Sequence, residues 1–158
     1  MSTLWTSNEV VAALSPVSTV APFEAEGVTF DSRAVSKGDI FFALAGEASD
    51  GHAFVVEALA RGAAAAVVSR DVAGADGKLI RVPDTMKALA DLGRAGRHRS
   101  KARIASVTGS VGKTSTKDAL RAILSAQAPT SASVASYNNH VGVPISLARL
   151  PREARYGI

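Results

Sequence analysis

A short glycine-containing loop between a strand pattern and a helix pattern constrains this chain more than any other feature. Residues 104–107 are small or β-branched and uncharged, which predicts a buried strand. Residues 115–126 carry apolar side chains at helical spacing, which predicts a helix. The loop between them suits phosphate, because glycines admit close backbone approach and the amides at a helix N-terminus point at an anion.

Within this loop, the polar side chains predict a nucleotide site. Lys113 adds a mobile cation for the outer phosphates, and Thr114 adds a hydroxyl for magnesium. The predicted ATP-binding residues are Thr108, Gly109, Ser110, Val111, Gly112, Lys113, Thr114 and Ser115. The common P-loop has a glycine five residues before Gly112, where this chain has Val107, so the spacing fits a shorter Gly-x-x-Gly-Lys-Thr form. The alternative is an ordinary glycine turn next to a chance lysine.

Composition limits the classes of protein that remain. Of the 158 residues, 47% are hydrophobic and 20% are charged, which predicts a globular core. The net charge of +4 favours anionic partners, and the absence of cysteine excludes disulfides. No signal peptide follows Met1, and no apolar run is long enough for a membrane span. We therefore expect a cytoplasmic protein without membrane insertion.

Strand and helix patterns alternate ahead of Pro83. Thr6 and Glu9 have the spacing of a capping box, which predicts a short helix that stops at Pro16. Strand patterns cover residues 27–31, 40–44, 63–68 and 79–82, and a helix pattern covers residues 52–61 and ends at Gly62. This alternation predicts an α/β fold, with residues 1–83 as a small N-terminal domain.

A second domain is predicted for residues 84–158. Asp84 can cap a helix whose far end is strongly basic, with Arg94, Arg97, His98, Arg99, Lys101 and Arg103. That basic run is either a clamp for nucleic acid or a nucleotide, or a solvated helix end, and the lack of aromatic residues for base stacking favours the solvated end. A strand pattern at 128–133, a helix through Pro144 and a strand start at 155–158 then predict the opening of a P-loop-type parallel-sheet ATP-binding domain. We expect this domain to be truncated.

Together with other motifs, the loop resembles that of the Mur ligase family, the ATP-dependent amide-bond-forming enzymes of peptidoglycan synthesis. Asp31-Ser32-Arg33, residues 37–43, and Gly46 with Asp50-Gly51-His52 are similar to the N-terminal domain of its two later members. Residues 137–144, Tyr-Asn-Asn-His-Val-Gly-Val-Pro, resemble the last member of the pathway. Val111 stands where asparagine or serine is common in the family.

The resemblance implies an activity and its ligands. The enzyme would join D-alanyl-D-alanine to UDP-N-acetylmuramoyl-tripeptide through an acyl phosphate, as a monomer that uses ATP and Mg2+. Lys113 would be catalytic by binding the outer phosphates, and Thr114 would bind the metal. The implied substrate-binding residues are Phe30, Ser32, Arg33, Glu47, Ala48, Ser49, Asn138 and Asn139. The family's later metal ligands and C-terminal domain would lie beyond Ile158, so the chain alone is expected to be inactive.

Three alternatives stay open at this point. The preceding ligase of the pathway usually has threonines in the loop at 137–144, where this chain has Asn138 and Asn139, so these asparagines argue against it. A folylpolyglutamate-type relative shares the short P-loop, but Asp31-Ser32-Arg33 argues against it. A non-catalytic P-loop nucleotide-binding module would belong to a different class.

Overall fold

Parallel β-sheets form the framework of the chain in the computed structural model, which describes residues 3–46, 49–75, 77–133 and 140–158. The chain divides into two compact units, Met1–Leu92 and Gly93–Ile158. The division falls within the helix Thr85–Arg99, whereas the sequence places a boundary before that helix, near Pro83. The mixed α/β class with parallel sheets is confirmed; the functions predicted for the two domains stay predictions.

The first unit contains a four-stranded parallel sheet. Its strands and α-helices are, in chain order, β1 (Trp5–Thr6), α1 (Ser7–Leu14), β2 (Glu24–Ala25), β3 (Gly27–Thr29), β4 (Asp39–Phe42), α2 (Val55–Ala60), β5 (Ala65–Val68), β6 (Leu79–Arg81) and the start of α3 (Thr85–Arg99). Short 3-10 helices cover Ser32–Ala34 and Gly51–Phe54. The sheet order is β3-β4-β5-β6, with every neighbouring pair parallel.

Burial explains why these segments are strands. All four residues of β4 and of β5 are buried, as expected for a parallel sheet that is covered on both faces. Side chains from these strands and from α2 share one core, which includes Phe41, Val55 and Ala66. The antiparallel pair of β1 with β2 was not predicted, because each strand has only two residues.

Local capping signals in the sequence are confirmed. Thr6 and Glu9 form a capping box at the start of α1, and Asp84 accepts hydrogen bonds from the backbone N–H groups of Met86 and Lys87. The helix predicted over residues 52–61 is instead a 3-10 turn followed by the short helix α2. Asp50 caps that turn through the N–H of His52, which favours the tighter winding at its start.

The second unit holds a three-stranded parallel sheet in the order β7-β9-β8. Its elements after α3 are β7 (Arg103–Ile104), α4 (Lys113–Ser125), β8 (Thr130–Ser131), α5 (Gly142–Ala148) and β9 (Tyr156–Gly157). The strand predicted over 104–107 is shorter, because only Arg103 and Ile104 pair with β9. The apolar stripe predicted on α4 is not buried in this unit, and Ile123 is 59% exposed.

Candidate nucleotide and substrate sites

A cleft of about 800 Å³ lies at the carboxyl edge of the three-stranded sheet. Because β7, β8 and β9 are parallel, the residues that follow them meet at one edge. Residues 104–109, 131–133 and 157–158 line the cleft, together with parts of α4 and α5. Open parallel sheets bind ligands at this edge, so the cleft is the candidate nucleotide site of the second unit.

The predicted phosphate loop enters this cleft from β7. Gly112 has φ +79° and precedes the first residue of α4, Lys113, so the turn requires a left-handed backbone that glycine adopts readily. At the start of an α-helix the backbone N–H groups point away from the helix along its axis, and they carry the positive end of the helix dipole. The loop therefore has the backbone that an anion site needs.

Four of the predicted ATP-binding residues line the cleft: Thr108, Gly109, Lys113 and Thr114. The Lys113 ammonium donates a hydrogen bond to the Gly109 carbonyl at 2.5 Å, so it lies folded over the loop. The other four, which do not line the cleft, are Ser110, Val111, Gly112 and Ser115. Val111 is 90% exposed at the tip of the loop.

The charged side chains among the described residues that line the cleft are all cationic. Lys113, Lys117 and Arg149 contribute cations, and no aspartate or glutamate is among them. Lys117 also donates to the Ser133 carbonyl at 3.1 Å, which links α4 to the end of β8. Sequence analysis missed Lys117, although its spacing of four residues from Lys113 places both on one helix face. Such a cleft favours a polyanion.

The second candidate site follows the carboxyl ends of β3 and β4 in the first unit. Phe30, Ser32 and Arg33 come directly after β3, and Ser49 belongs to the loop after β4. The Ser32 side chain is buried, whereas the Arg33 side chain is 84% exposed. Of the remaining predicted substrate residues, Glu47, Ala48, Asn138 and Asn139 lie outside the described residues.

Arg33 is held by its neighbour Asp31. Its Nε and Nη2 atoms donate to the two Asp31 carboxylate oxygens, each at 2.9 Å. The hydrogen bond from the Arg33 side chain lowers the pKa of Asp31, and the Arg33 backbone N–H lowers it further. Two of the three guanidinium nitrogens of Arg33, an implied substrate-binding residue, are therefore already engaged in a bidentate pair.

A hydrogen-bonded cluster that sequence analysis missed lies at the same edge of the first sheet. Asp50 accepts from His52 and from Arg70, and His52 also contacts Ser69 at the end of β5. The His52 backbone N–H and side chain, followed by the Arg70 side chain, lower the pKa of Asp50 to about 2. The polar residues that directly follow the buried run 65–68 were the sequence signal from which this cluster could have been predicted.

Within the described ranges, neither a membrane-spanning helix nor a metal-binding cluster is present. Helices within these ranges are too short or too polar to cross a membrane. The same ranges contain no group of three or more His, Cys, Asp or Glu side chains that could hold a metal ion.

A Gly-x-x-Gly-Lys-Thr loop at the carboxyl edge of a parallel sheet places the chain in the class of α/β proteins with a P-loop. Residues 24–97 match the domain described as Mur ligase family, catalytic domain, and residues 107–158 match the Mur ligase middle domain. The chain belongs to the Mur ligase family, which confirms the resemblance.

Curated and solved relatives agree with this assignment. The UDP-N-acetylmuramoyl-tripeptide–D-alanyl-D-alanine ligase of Rickettsia prowazekii is 41% identical over 132 residues, which cover 83% of this chain and 29% of that protein. A crystal structure of MurF from Acinetobacter baumannii has a TM-score of 0.83 and 36% identity over 97% of this chain and 34% of its own. The MurF ligase of Thermotoga maritima in complex with ADP has a TM-score of 0.68 and 29% identity over 84% of this chain and 31% of its own. The chain thus spans about a third of the length of these relatives.

Proposed function

We propose that this chain is the N-terminal portion of an ATP-dependent ligase that adds D-alanyl-D-alanine to UDP-N-acetylmuramoyl-tripeptide through an acyl phosphate. The observation that carries the proposal is the positively charged cleft at the phosphate loop, in a chain that belongs to the Mur ligase family. The names of the relatives support this choice of substrates. We also infer that the protein acts as a cytoplasmic monomer.

ATP fits the cleft of the second unit. Its triphosphate would meet the amides at the start of α4 and the ammonium groups of Lys113 and Lys117. Thr114 would contribute its hydroxyl to Mg2+, which is usually held by a few protein oxygens together with substrate phosphates. These groups neutralise charge and position the phosphoryl group while the tripeptide carboxylate attacks, so no covalent step falls on the protein. The ADP complex of the Thermotoga relative supports this assignment.

Replacement of Lys113 by alanine is the first test. A hydrogen bond to a charged group contributes about 1.5–3 kcal/mol, so Lys113→Ala is expected to weaken Mg-ATP binding at least about tenfold. Calorimetric titration of both proteins measures this. Lys87→Ala is the matched control, because it removes the same charge from an exposed position in the first unit. Equal affinities of the wild-type and Lys113→Ala proteins would remove the phosphate loop from the proposal.

The uridine diphosphate end of the muramoyl peptide is proposed to bind at the carboxyl edge of the first sheet. Phe30 and Ser32 border this edge, and Asp31 holds the guanidinium of Arg33 in one plane. A pyrophosphate can then contact the remaining nitrogen, Nη1, of a side chain that is already ordered. Glu47, Ala48, Asn138 and Asn139 remain proposed substrate residues.

An NMR titration of the chain with UDP-N-acetylmuramoyl-tripeptide tests this second site. We expect amide shifts at residues 30–33 and 46–52, and weaker binding after Arg33→Ala because a phosphate contact is lost. Arg121→Ala removes an equal charge from α4 and is expected to leave the response unchanged. ATP serves as the ligand control. The same shifts with ATP, or none with the UDP compound at millimolar concentration, would refute the site.

A further inference from the structure

His52 is a buried polar side chain with hydrogen bonds on both ring nitrogens. It is 4% exposed, and its Nδ1 atom lies 2.6 Å from an Asp50 carboxylate oxygen. Its Nε2 atom lies 2.9 Å from the backbone nitrogen of Ser69 and 3.1 Å from the Ser69 hydroxyl. We call this group the Asp50–His52–Ser69 bridge.

The backbone of Ser69 decides which ring nitrogen carries the proton. An amide N–H can only donate, so Nε2 accepts and Nδ1 carries the hydrogen that is donated to Asp50. The order of the three side chains is that of a hydrolytic triad. A triad, however, needs the Nε2 lone pair for the serine hydroxyl, and here the amide of the same serine shares it. The bridge is therefore suited to holding backbone in place.

The part of the chain that the bridge holds is the loop after β4. Ala45 pairs with Asp50 across this loop, and the Gly46 N–H donates to the Ser49 carbonyl at 2.9 Å. Asp50 is tied in turn to His52 and, at 2.6 Å, to Arg70. Both Ser69 and Arg70 directly follow β5, so Asp50 is fastened to the end of the neighbouring strand.

We propose that His52 is a positioning residue for the UDP-muramoyl substrate: the bridge holds Ser49 and Asp50 against the end of β5, where the substrate binds. This inference rests on the proposed function. The His52 side chain is buried, so it acts on the substrate only through Asp50 and Ser69. We therefore expect a change at His52 to alter the affinity for the UDP-muramoyl substrate alone. The nucleotide cleft is lined by residues of the other unit.

Three substitutions in the full 158-residue chain separate the two halves of the bridge. His52→Phe keeps an aromatic ring and removes the three hydrogen bonds of the ring nitrogens, while the backbone N–H to Asp50 remains. His52→Asn can place an N–H near the position of Nδ1 and retain Asp50, whereas His52→Gln can place a carbonyl near Nε2 and retain Ser69. We expect His52→Phe to weaken binding of UDP-N-acetylmuramoyl-tripeptide about tenfold or more. The Asn and Gln variants should fall between His52→Phe and wild type, and Mg-ATP affinity should not change.

Two measurements decide the outcome. Titrations with both ligands give the affinities. They are made at a temperature where circular dichroism shows each variant folded. Nitrogen-15 NMR of the wild-type imidazole identifies the tautomer. A folded His52→Phe protein that binds the UDP compound like wild type would overturn the proposal, as would a hydrogen on Nε2. If His52→Phe does not fold, equal affinity of the Asn, Gln and wild-type proteins overturns it. A wild-type chain that binds Mg-ATP but not the UDP compound refutes the substrate site itself.

Discussion

At the scale of single residues, Gly51 shows how closely the loop after β4 is packed. A Cβ atom at Gly51 would lie 2.7 Å from the Leu44 nitrogen, 2.8 Å from the Leu44 oxygen and 2.9 Å from the Ala43 carbonyl carbon. These are backbone atoms of the same loop, so they cannot move away as a flexible side chain would. The Gly51 N–H also donates to the Leu44 carbonyl. Glycine at this position permits the close approach that lets the loop fold back on itself.

Gly51→Ala is therefore expected to lower the free energy of unfolding of the first unit by about 1–3 kcal/mol, the usual cost of overpacking. Gly46→Ala is the matched control in the same loop, because its Cβ would meet only the Ser49 oxygen at 3.4 Å. Urea unfolding can be followed by the fluorescence of Trp5, which is the single tryptophan of the chain and is 1% exposed in the first unit. Equal midpoints for the two variants would contradict this packing.

At the scale of elements, α3 shows how a local signal starts a long helix. The Asp84 carboxylate accepts from the Met86 N–H at 2.8 Å and from the Lys87 N–H at 2.9 Å. Two of the amides that have no partner within the helix are thereby satisfied, and the negative charge lies at the positive end of the helix dipole. Leu89 and Leu92 of the same helix are fully buried, so its first half is part of the core of the first unit.

Asp84→Ala should destabilise the first unit by about 1 kcal/mol, because the cap is lost. Asp84→Ser replaces the carboxylate by a hydroxyl that can accept the same hydrogen bond, so it should retain most of the stability. Thermal unfolding followed by Trp5 fluorescence compares the three proteins. A serine variant as unstable as the alanine variant would show that the carboxylate acts through its charge or through another contact.

At the scale of the whole molecule, the two proposed sites belong to different units. The positively charged cleft is formed by residues of Gly93–Ile158, and the proposed site for the uridine diphosphate end of the substrate by described residues of Met1–Leu92. Much of the rate enhancement of a ligase comes from holding two substrates and ATP in one reactive arrangement. The named relatives carry about three times as much chain as the part matched here.

We therefore expect the 158-residue chain to bind its ligands without turning them over. Supplied with ATP, Mg2+, UDP-N-acetylmuramoyl-tripeptide and D-alanyl-D-alanine, it should release no phosphate above the background without protein. The full-length MurF ligase of Acinetobacter baumannii is the positive control. Phosphate release together with a pentapeptide product from this chain would mean that these 158 residues suffice to bring the reactants together.

Sequence alone determined the features that depend on neighbours a few residues apart. We predicted the capping box of Thr6 with Glu9, the Asp84 cap and the buried runs of β4 and β5. Each of these is recognised from residues within one helical turn or one strand. The glycine turn before α4 belongs with them, since a left-handed backbone at Gly112 is a local preference. The phosphate loop, Asp31-Ser32-Arg33 and the motifs that accompany them were together sufficient to identify the family.

Only the tertiary structure decided which distant residues meet. It placed β9 between β7 and β8, paired β1 with β2, and brought Ser69 to His52 across 17 positions of the chain. It also directed Lys117 into the cleft and left the apolar stripe of α4 uncovered in its unit. Such contacts depend on the order and register of strands that are far apart in the chain, and the local pattern of side chains does not determine which strands become neighbours.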